Sequence, residues 1–209
     1  MKILAISDAV DQCLYTPHIS ERFRDIALVL CCGDLPNAYL EYIVSSLNVP
    51  LYYVPGNHDP AQDKVSSCTG AEGCVSLDRK VIRVKGLWLA GLGGSLRYRS
   101  DGVNQYTQAE MVLRMMKILP RCVLLRLLNK PGLDILVTHA PPRGVHDDND
   151  QAHTGFNAFS FFLRMARPRY LLHGHVLVYK RNLEQTMTRV GRTTVINILP
   201  SRLIEIEPQ

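Results

Sequence analysis

Five apolar runs in this chain each stop at a side chain able to bind a metal ion. Lys2-Ile3-Leu4-Ala5-Ile6-Ser7 runs into Asp8, and Ala27-Leu28-Val29-Leu30-Cys31-Cys32 runs into Gly33-Asp34. Pro50-Leu51-Tyr52-Tyr53 enters Val54-Pro55-Gly56-Asn57-His58-Asp59. Asp134-Ile135-Leu136-Val137-Thr138 ends at His139, and Arg169-Tyr170-Leu171-Leu172 ends at His173-Gly174-His175. Short apolar runs bounded by turn residues read as buried strands. An α/β sheet forms its site at the C-terminal ends of its strands, so the pattern predicts that carboxylate, amide and imidazole groups meet there.

The rest of the chain is compatible with such a sheet. At 209 residues with 46% apolar content, it can bury a full core, and a single domain over residues 1–209 is the simplest organisation. The net charge of +5 comes from 24 basic and 19 acidic residues that are scattered rather than packed into a run. That pattern argues against a nucleic-acid partner and mildly favours an anionic substrate. The N-terminus lacks a secretory pattern, and no apolar stretch reaches the roughly 18 residues of a membrane span. A cytoplasmic protein with reduced cysteines and no membrane partner is therefore expected. Cys31 and Cys32 read as small buried hydrophobes, and a Cys68–Cys74 disulfide is disfavoured.

Taken in order, residues 15–24 read as a loop with a short helix. Apolar residues at Tyr39, Leu40, Ile43, Val44 and Leu47 predict a helix over 37–47, giving a βαβ pattern with parallel strands and right-handed crossovers. Residues 60–73 read as a long active-site loop, after which short strands at 75–77, 80–84 and 87–92 predict antiparallel or mixed pairing. Gly91-Leu92-Gly93-Gly94-Ser95 lacks the strand-turn-helix context of a dinucleotide loop and reads as a tight turn. Thr107 and Glu110 form a capping box that opens a helix through 119, and Pro120 begins a second segment to 128. Met111, Met115 and Met116 are expected in the core. Arg114, Lys117, Arg121 and Arg126 form a solvated face that leaves a homo-oligomer contact open. A helix over 155–165 follows, then strands near 176–182, 187–190, 193–198 and 202–206, with a hairpin turn at Gly191-Arg192.

Asp8, Gly33-Asp34, Gly56-Asn57-His58-Asp59, Thr138-His139-Ala140-Pro141-Pro142 and Gly174-His175 resemble, in order and spacing, the signature blocks of calcineurin-like metallophosphoesterases. The resemblance spans nearly the whole chain. It implies an α/β (α+β) fold, a β-sandwich of two mixed sheets flanked by helices in αββα order. It also implies a pair of divalent ions bridged by Asp34 and in-line attack of metal-activated water on a phosphodiester or small phosphorylated metabolite. One ion would take Asp34, Asn57, His139 and His175, a set suited to Mn²⁺, Fe²⁺ or Zn²⁺. His58 would face the leaving oxygen as general acid or charge stabiliser, with Asp59 orienting its ring.

The other metal site departs from the family pattern. Where the family has Asp-x-His and Gly-His-x-His, this chain has Val10 and Leu177 in place of the final histidine of each motif, both of which serve the same ion. One well-held ion is therefore expected, with a weak or absent second ion at Asp8 and the shared Asp34. Asp11, His146, Asp147, Asp150 and His153 are candidates to rebuild that site, and His146, His153 and Arg143 are candidates to bind substrate phosphate. A solvated polar loop is the alternative for these residues. His173 is expected to be a buried hydrogen-bonding residue. The alternative to a hydrolase is a degenerate, single-metal member that binds a ligand or regulates without turnover.

Overall fold

The computed structural model describes residues 1–60, 70–128, 132–176 and 186–207. In chain order the elements are β1 (Lys2–Ile6), α1 (Ile19–Arg22), β2 (Ile26–Cys31), α2 (Asn37–Leu47), β3 (Leu51–Tyr53) and β4 (Cys74–Ser76). Next come β5 (Val81–Val84), β6 (Leu87–Leu92), β7 (Ser95–Leu96), β8 (Gln105–Tyr106), α3 (Gln108–Met116) and α4 (Leu119–Leu128). The chain closes with β9 (Ile135–Thr138), α5 (Asn157–Ala166), β10 (Tyr170–His173), β11 (Met187–Val190), β12 (Thr193–Asn197) and β13 (Ser201–Glu205).

Two large sheets result. The first has the order β13-β1-β2-β3-β4 and the second β11-β12-β10-β9-β6-β5. Pairings from β1 to β4 are parallel and β13 closes the edge antiparallel. In the second sheet β12, β10, β9 and β6 run parallel between antiparallel edges β11 and β5. Both sheets are mixed, and β7 and β8 form a separate parallel pair that sequence periodicity does not predict.

Side-chain alternation along the strands separates three apolar layers. Ile3, Ala5, Leu28 and Leu30 of the first sheet meet Leu89, Ile135, Val137, Leu172 and Ile196 of the second. The intervening residues Leu4, Ile6, Val29 and Cys31 turn outward onto Ile19 of α1 and Tyr39, Leu40 and Ile43 of α2. On the other side Ala90, Leu92, Leu136, Leu171 and Val195 pack against Met111, Met115, Cys122, Leu125, Phe159 and Phe162 of α3, α4 and α5. Near-continuous apolar strands are what a sheet covered on both faces requires, so the layers follow in the order helix, sheet, sheet, helix.

Local signals act as expected at α3. The Glu110 N–H donates to Thr107 Oγ1 at 3.2 Å, and Glu110 Oε2 accepts the Thr107 N–H at 2.7 Å. The expected Met stripe is only partly internal: Met111 and Met115 are buried, whereas Met116 is 49% exposed. One residue of helical rotation carries Met116 past the edge of the buried face. The Gly91–Ser95 segment is a close-packed turn with no free phosphate cradle, since the Gly93 N–H already donates to Asp78 Oδ1 at 2.9 Å. Cys31 and Cys32 are buried, while Cys68 and most of the strand expected over 176–182 lie outside the described residues. Among the described residues no helix is long and apolar enough to cross a membrane.

Candidate metal centre

The loops leaving β1, β2, β3, β9 and β10 meet at one place. Asp8 follows β1, Asp34 follows β2, Asn57 follows β3, His139 follows β9 and His175 follows β10. Asp8, Asp34 and His175 take positive φ values of 62°, 58° and 67°, a region that non-glycine residues rarely adopt. Such strain persists only where the surrounding structure imposes it. Gly174 shows that crowding: a Cβ there would collide with Ser7 Oγ and Asp8 Oδ2.

Four side chains form the floor of the site. His139 Nε2 lies 2.9 Å from Asn57 Oδ1 and 3.3 Å from Asp34 Oδ2. His139 Nδ1 lies 2.8 Å from the Cys32 carbonyl, which can only accept, so Nδ1 carries the proton of the neutral ring and Nε2 presents a lone pair. His175 is held in the same way by its other nitrogen. Its Nε2 donates to the Ala152 carbonyl at 2.7 Å, which leaves Nδ1 bare. Carbonyls that fix ligand tautomers in this manner are the usual outer support of a metal site. Ligand atoms of Asp34, His139 and His175 all lie within 4.8 Å of one another.

The electrostatics favour a cation at this point. Burial opposes a charge on His139, but the Asp34 and Asp8 carboxylates outweigh it and raise the pKa to about 9. Burial, with His139 beside it, lowers the pKa of His175 to about 3, so that ring is neutral and able to ligate. Asp34 is pushed up by its own burial, yet His139 prevails and holds it below the ordinary carboxylate range. A proton on His139 Nε2 occupies the position that a divalent ion between Asp34 and Asn57 would take. The donor set therefore fits such an ion.

Asp8 is differently engaged. Both of its oxygens face the His175 N–H, at 3.0 and 2.9 Å, and burial pushes its carboxyl pKa up. Val10 is partly buried against the α1 and α2 layer, and Leu177 lies outside the described residues.

An open cleft of about 460 Å³ lies above this floor, lined by Asp8, Asp34, Asn57, His58, Tyr98, Ala152, His153 and His175. His58 is exposed there, and its backbone N–H donates to Asp34 Oδ1 at 2.8 Å. Asp59 is bonded to backbone amides. Its Oδ2 accepts the Asp34 and Gly56 N–H groups at 3.0 and 2.8 Å, so it braces two loops. Backbone amides at a strained turn need an acceptor, and the carboxylate supplies it.

Of the candidate phosphate binders only His153 reaches the cleft, where Asp150 holds its Nδ1 at 2.8 Å. His146 Nδ1 donates to His173 Nε2, and its Nε2 accepts the Thr188 hydroxyl, both at 2.9 Å. Arg143 faces Asp147 at 3.7 Å. Asp147 accepts the N–H groups of Gly144 and Gly155, and Asp11 accepts the Ser201 hydroxyl. These residues build the loops around the site and stand outside it. Tyr98, which the sequence reading missed, accepts the Asn57 amide N–H at 3.2 Å and forms one cleft wall. No sequence signal marks it, because it follows β7 in a turn far from the ligand motifs.

The order and spacing of these strand ends also match a known family. A family model described as calcineurin-like phosphoesterase matches residues 1–179. The chain belongs to the calcineurin-like phosphoesterase family. An uncharacterized protein of Methanocaldococcus jannaschii, MJ1162, is 25% identical over 96% of this chain and 88% of its own length. A crystal structure 16% identical superposes with a TM-score of 0.67 over 97% of this chain and 94% of that one. GAP50, described as the anchor in the inner membrane complex of Plasmodium, is 10% identical, with a TM-score of 0.50 over 94% of this chain and 70% of its own. These two likenesses concern the fold alone.

Proposed function

We propose that this calcineurin-like protein is a metal-dependent phosphoesterase, cleaving a phosphodiester or a small phosphorylated metabolite around one well-held divalent ion. The observation that carries the reading is the convergence of Asp34 Oδ2, Asn57 Oδ1 and His139 Nε2 at the floor of an open cleft. A divalent ion there supplies a lowered pKa for water and stabilisation of charge on phosphoryl oxygens. Mixed oxygen and imidazole ligands suit Mn²⁺, Fe²⁺ or Zn²⁺, and manganese is the first choice for assay.

The chain's own groups supply the remainder. Asn57 is fixed by Tyr98, and both imidazoles by backbone carbonyls, so the floor is organised before substrate arrives. Breaking the bond between phosphorus and the leaving oxygen requires a proton for that oxygen, and His58 is exposed in the cleft to donate it. His153 lines the same cleft and would serve as a donor for substrate phosphate. Buried Cys31 and Cys32, whose thiol pKa values burial raises well above the ordinary value, take no part in the chemistry.

The second reading, a ligand-binding protein without turnover, is favoured by one specific feature: Asp8 accepts the His175 N–H, and the apolar Val10 stands where a second imidazole would be. The test is hydrolysis of aryl phosphodiesters and monoesters with added Mn²⁺, run beside metal analysis of protein purified without chelators. Metal-dependent turnover that collapses in His58→Ala supports the enzyme. A metal-loaded protein inert on every ester supports the binding reading, and a protein that holds no divalent ion overturns both.

A further inference from the structure

Away from the metal centre, a second cleft of about 520 Å³ opens between the C-terminal end of α5 and the turn joining β11 to β12. Leu163, Arg164 and Arg167 line it from the helix, and Val190, Gly191 and Arg192 from the turn. Three guanidinium-bearing residues thus border one cavity with no carboxylate among its lining residues. Among the described residues five arginines are paired with carboxylates, Arg79 and Arg114 with Asp78, Arg97 with Glu110, Arg143 with Asp147 and Arg169 with Asp134; what sets Arg164, Arg167 and Arg192 apart from the other unpaired arginines is that they share one cleft. Among the described residues Arg164, Arg167 and Arg192 have no carboxylate partner. Arg164 only stacks over the Phe161 ring at 5.9 Å.

Like charges gathered without a counter-charge repel one another, so the arrangement needs a cause. Carbonyls at a helix C-terminus attract cations, which accounts for Arg164 and Arg167 at the end of α5. It does not account for Arg192. That residue comes from a hairpin turn in which Gly191 takes φ +61° and Arg189 Nε donates to the Gly191 carbonyl at 3.3 Å. The turn brings Arg192 to the same cleft as Arg164 and Arg167.

We propose that this cleft is an anion site that binds a phosphate group, distinct from the metal centre. Guanidinium groups match phosphate oxygens in paired hydrogen bonds, and three together exceed what a single surface arginine offers. Leu163 and Val190 give the cleft its apolar lining. Two sources present a phosphate in that setting: a soluble phosphorylated metabolite and a phospholipid headgroup.

The test compares wild-type protein with an Arg164→Ala/Arg167→Ala/Arg192→Ala variant. All three side chains are exposed and none belongs to the metal centre, so metal content and thermal unfolding should be unchanged. Two probes are used: inorganic pyrophosphate by calorimetry, and sedimentation with phosphatidylglycerol–phosphatidylcholine vesicles against phosphatidylcholine alone. We expect the variant to bind at least one anionic probe about tenfold more weakly, or worse, than wild type. A loss confined to pyrophosphate identifies a soluble ligand, and a loss confined to phosphatidylglycerol vesicles identifies a headgroup. Pyrophosphate also meets the metal centre, so the difference between the two proteins is the measured quantity. Equal binding by both proteins overturns the proposal. So does equal weakening in Lys117→Ala/Arg121→Ala, which removes two exposed cations outside the cleft and would reveal only diffuse attraction.

Discussion

The carboxylate of Asp59 holds Asp34 in place: Oδ2 accepts the Asp34 N–H at 3.0 Å and, with the same oxygen, the Gly56 N–H at 2.8 Å. Asp34 sits at φ 58° and presents its own oxygens to His139 and to the His58 N–H. A side chain two residues past the amide ligand thus joins the loop after β2 to the loop after β3. Asp59→Ala should leave two amides without an acceptor, cost about 1–3 kcal/mol of stability and loosen metal binding about 10–100-fold. Asp59→Asn keeps one accepting oxygen and should restore most of both. Thermal unfolding and metal titration check this. If Asp59→Ala instead matched His58→Ala, with lost turnover and intact metal affinity, Asp59 would act through the imidazole.

His58→Ala isolates the chemistry from the scaffold. The bond that ties residue 58 to Asp34 comes from the backbone N–H, which alanine retains, and the imidazole itself is exposed in the cleft. Turnover should therefore fall about 10²-fold or more while metal content stays near wild type. Loss of bound metal in this variant would make His58 a ligand.

What the sequence conveyed and what it hid follow from range. Asp34, Asn57, His139 and His175 were readable because each ends an apolar run, and runs of that kind fix both the strand and the end at which its next residue emerges. The capping box at Thr107 and the helix over Asn37–Leu47 are equally local. The bracing role of Asp59 was hidden because its adjacency to His58 pointed to the ring, whereas the bonds that its Oδ2 makes reach backbone amides on two loops. His146 and Arg143 were likewise grouped with His153 by proximity in sequence. Their partners, His173, Thr188 and Asp147, divert them from the cleft. Tyr98 carries no periodic or motif signal and becomes visible only through its bond to Asn57.

The two loop histidines should now separate. His153 lines the cleft, so His153→Ala should raise KM on anionic esters with little change in metal content. His146→Ala takes partners from buried His173 and from Thr188, which costs about 1–3 kcal/mol of stability and leaves KM near wild type. Steady-state kinetics beside thermal unfolding reads both, and a kinetic defect in the His146 variant without a stability loss would return it to the substrate.

Metal occupancy should be unequal. An ion at Asp34, Asn57, His139 and His175 would have four protein ligands, two of them imidazoles held by backbone carbonyls. An ion beside Asp8 would have one unshared carboxylate, already facing the His175 N–H, and the shared Asp34. Borderline ions that prefer nitrogen should leave that second position first, so protein prepared at low metal concentration should hold roughly one ion per chain. Val10→His alone trades a methyl-bearing side chain against the α1 and α2 layer for an imidazole, and should lower stability more than it raises affinity. Combined with Leu177→His it should raise affinity for a second ion, because two nitrogen donors then join Asp8 and Asp34. Metal analysis across a titration decides the matter, and two tightly held ions in wild-type protein would mean that other groups have replaced the missing imidazoles.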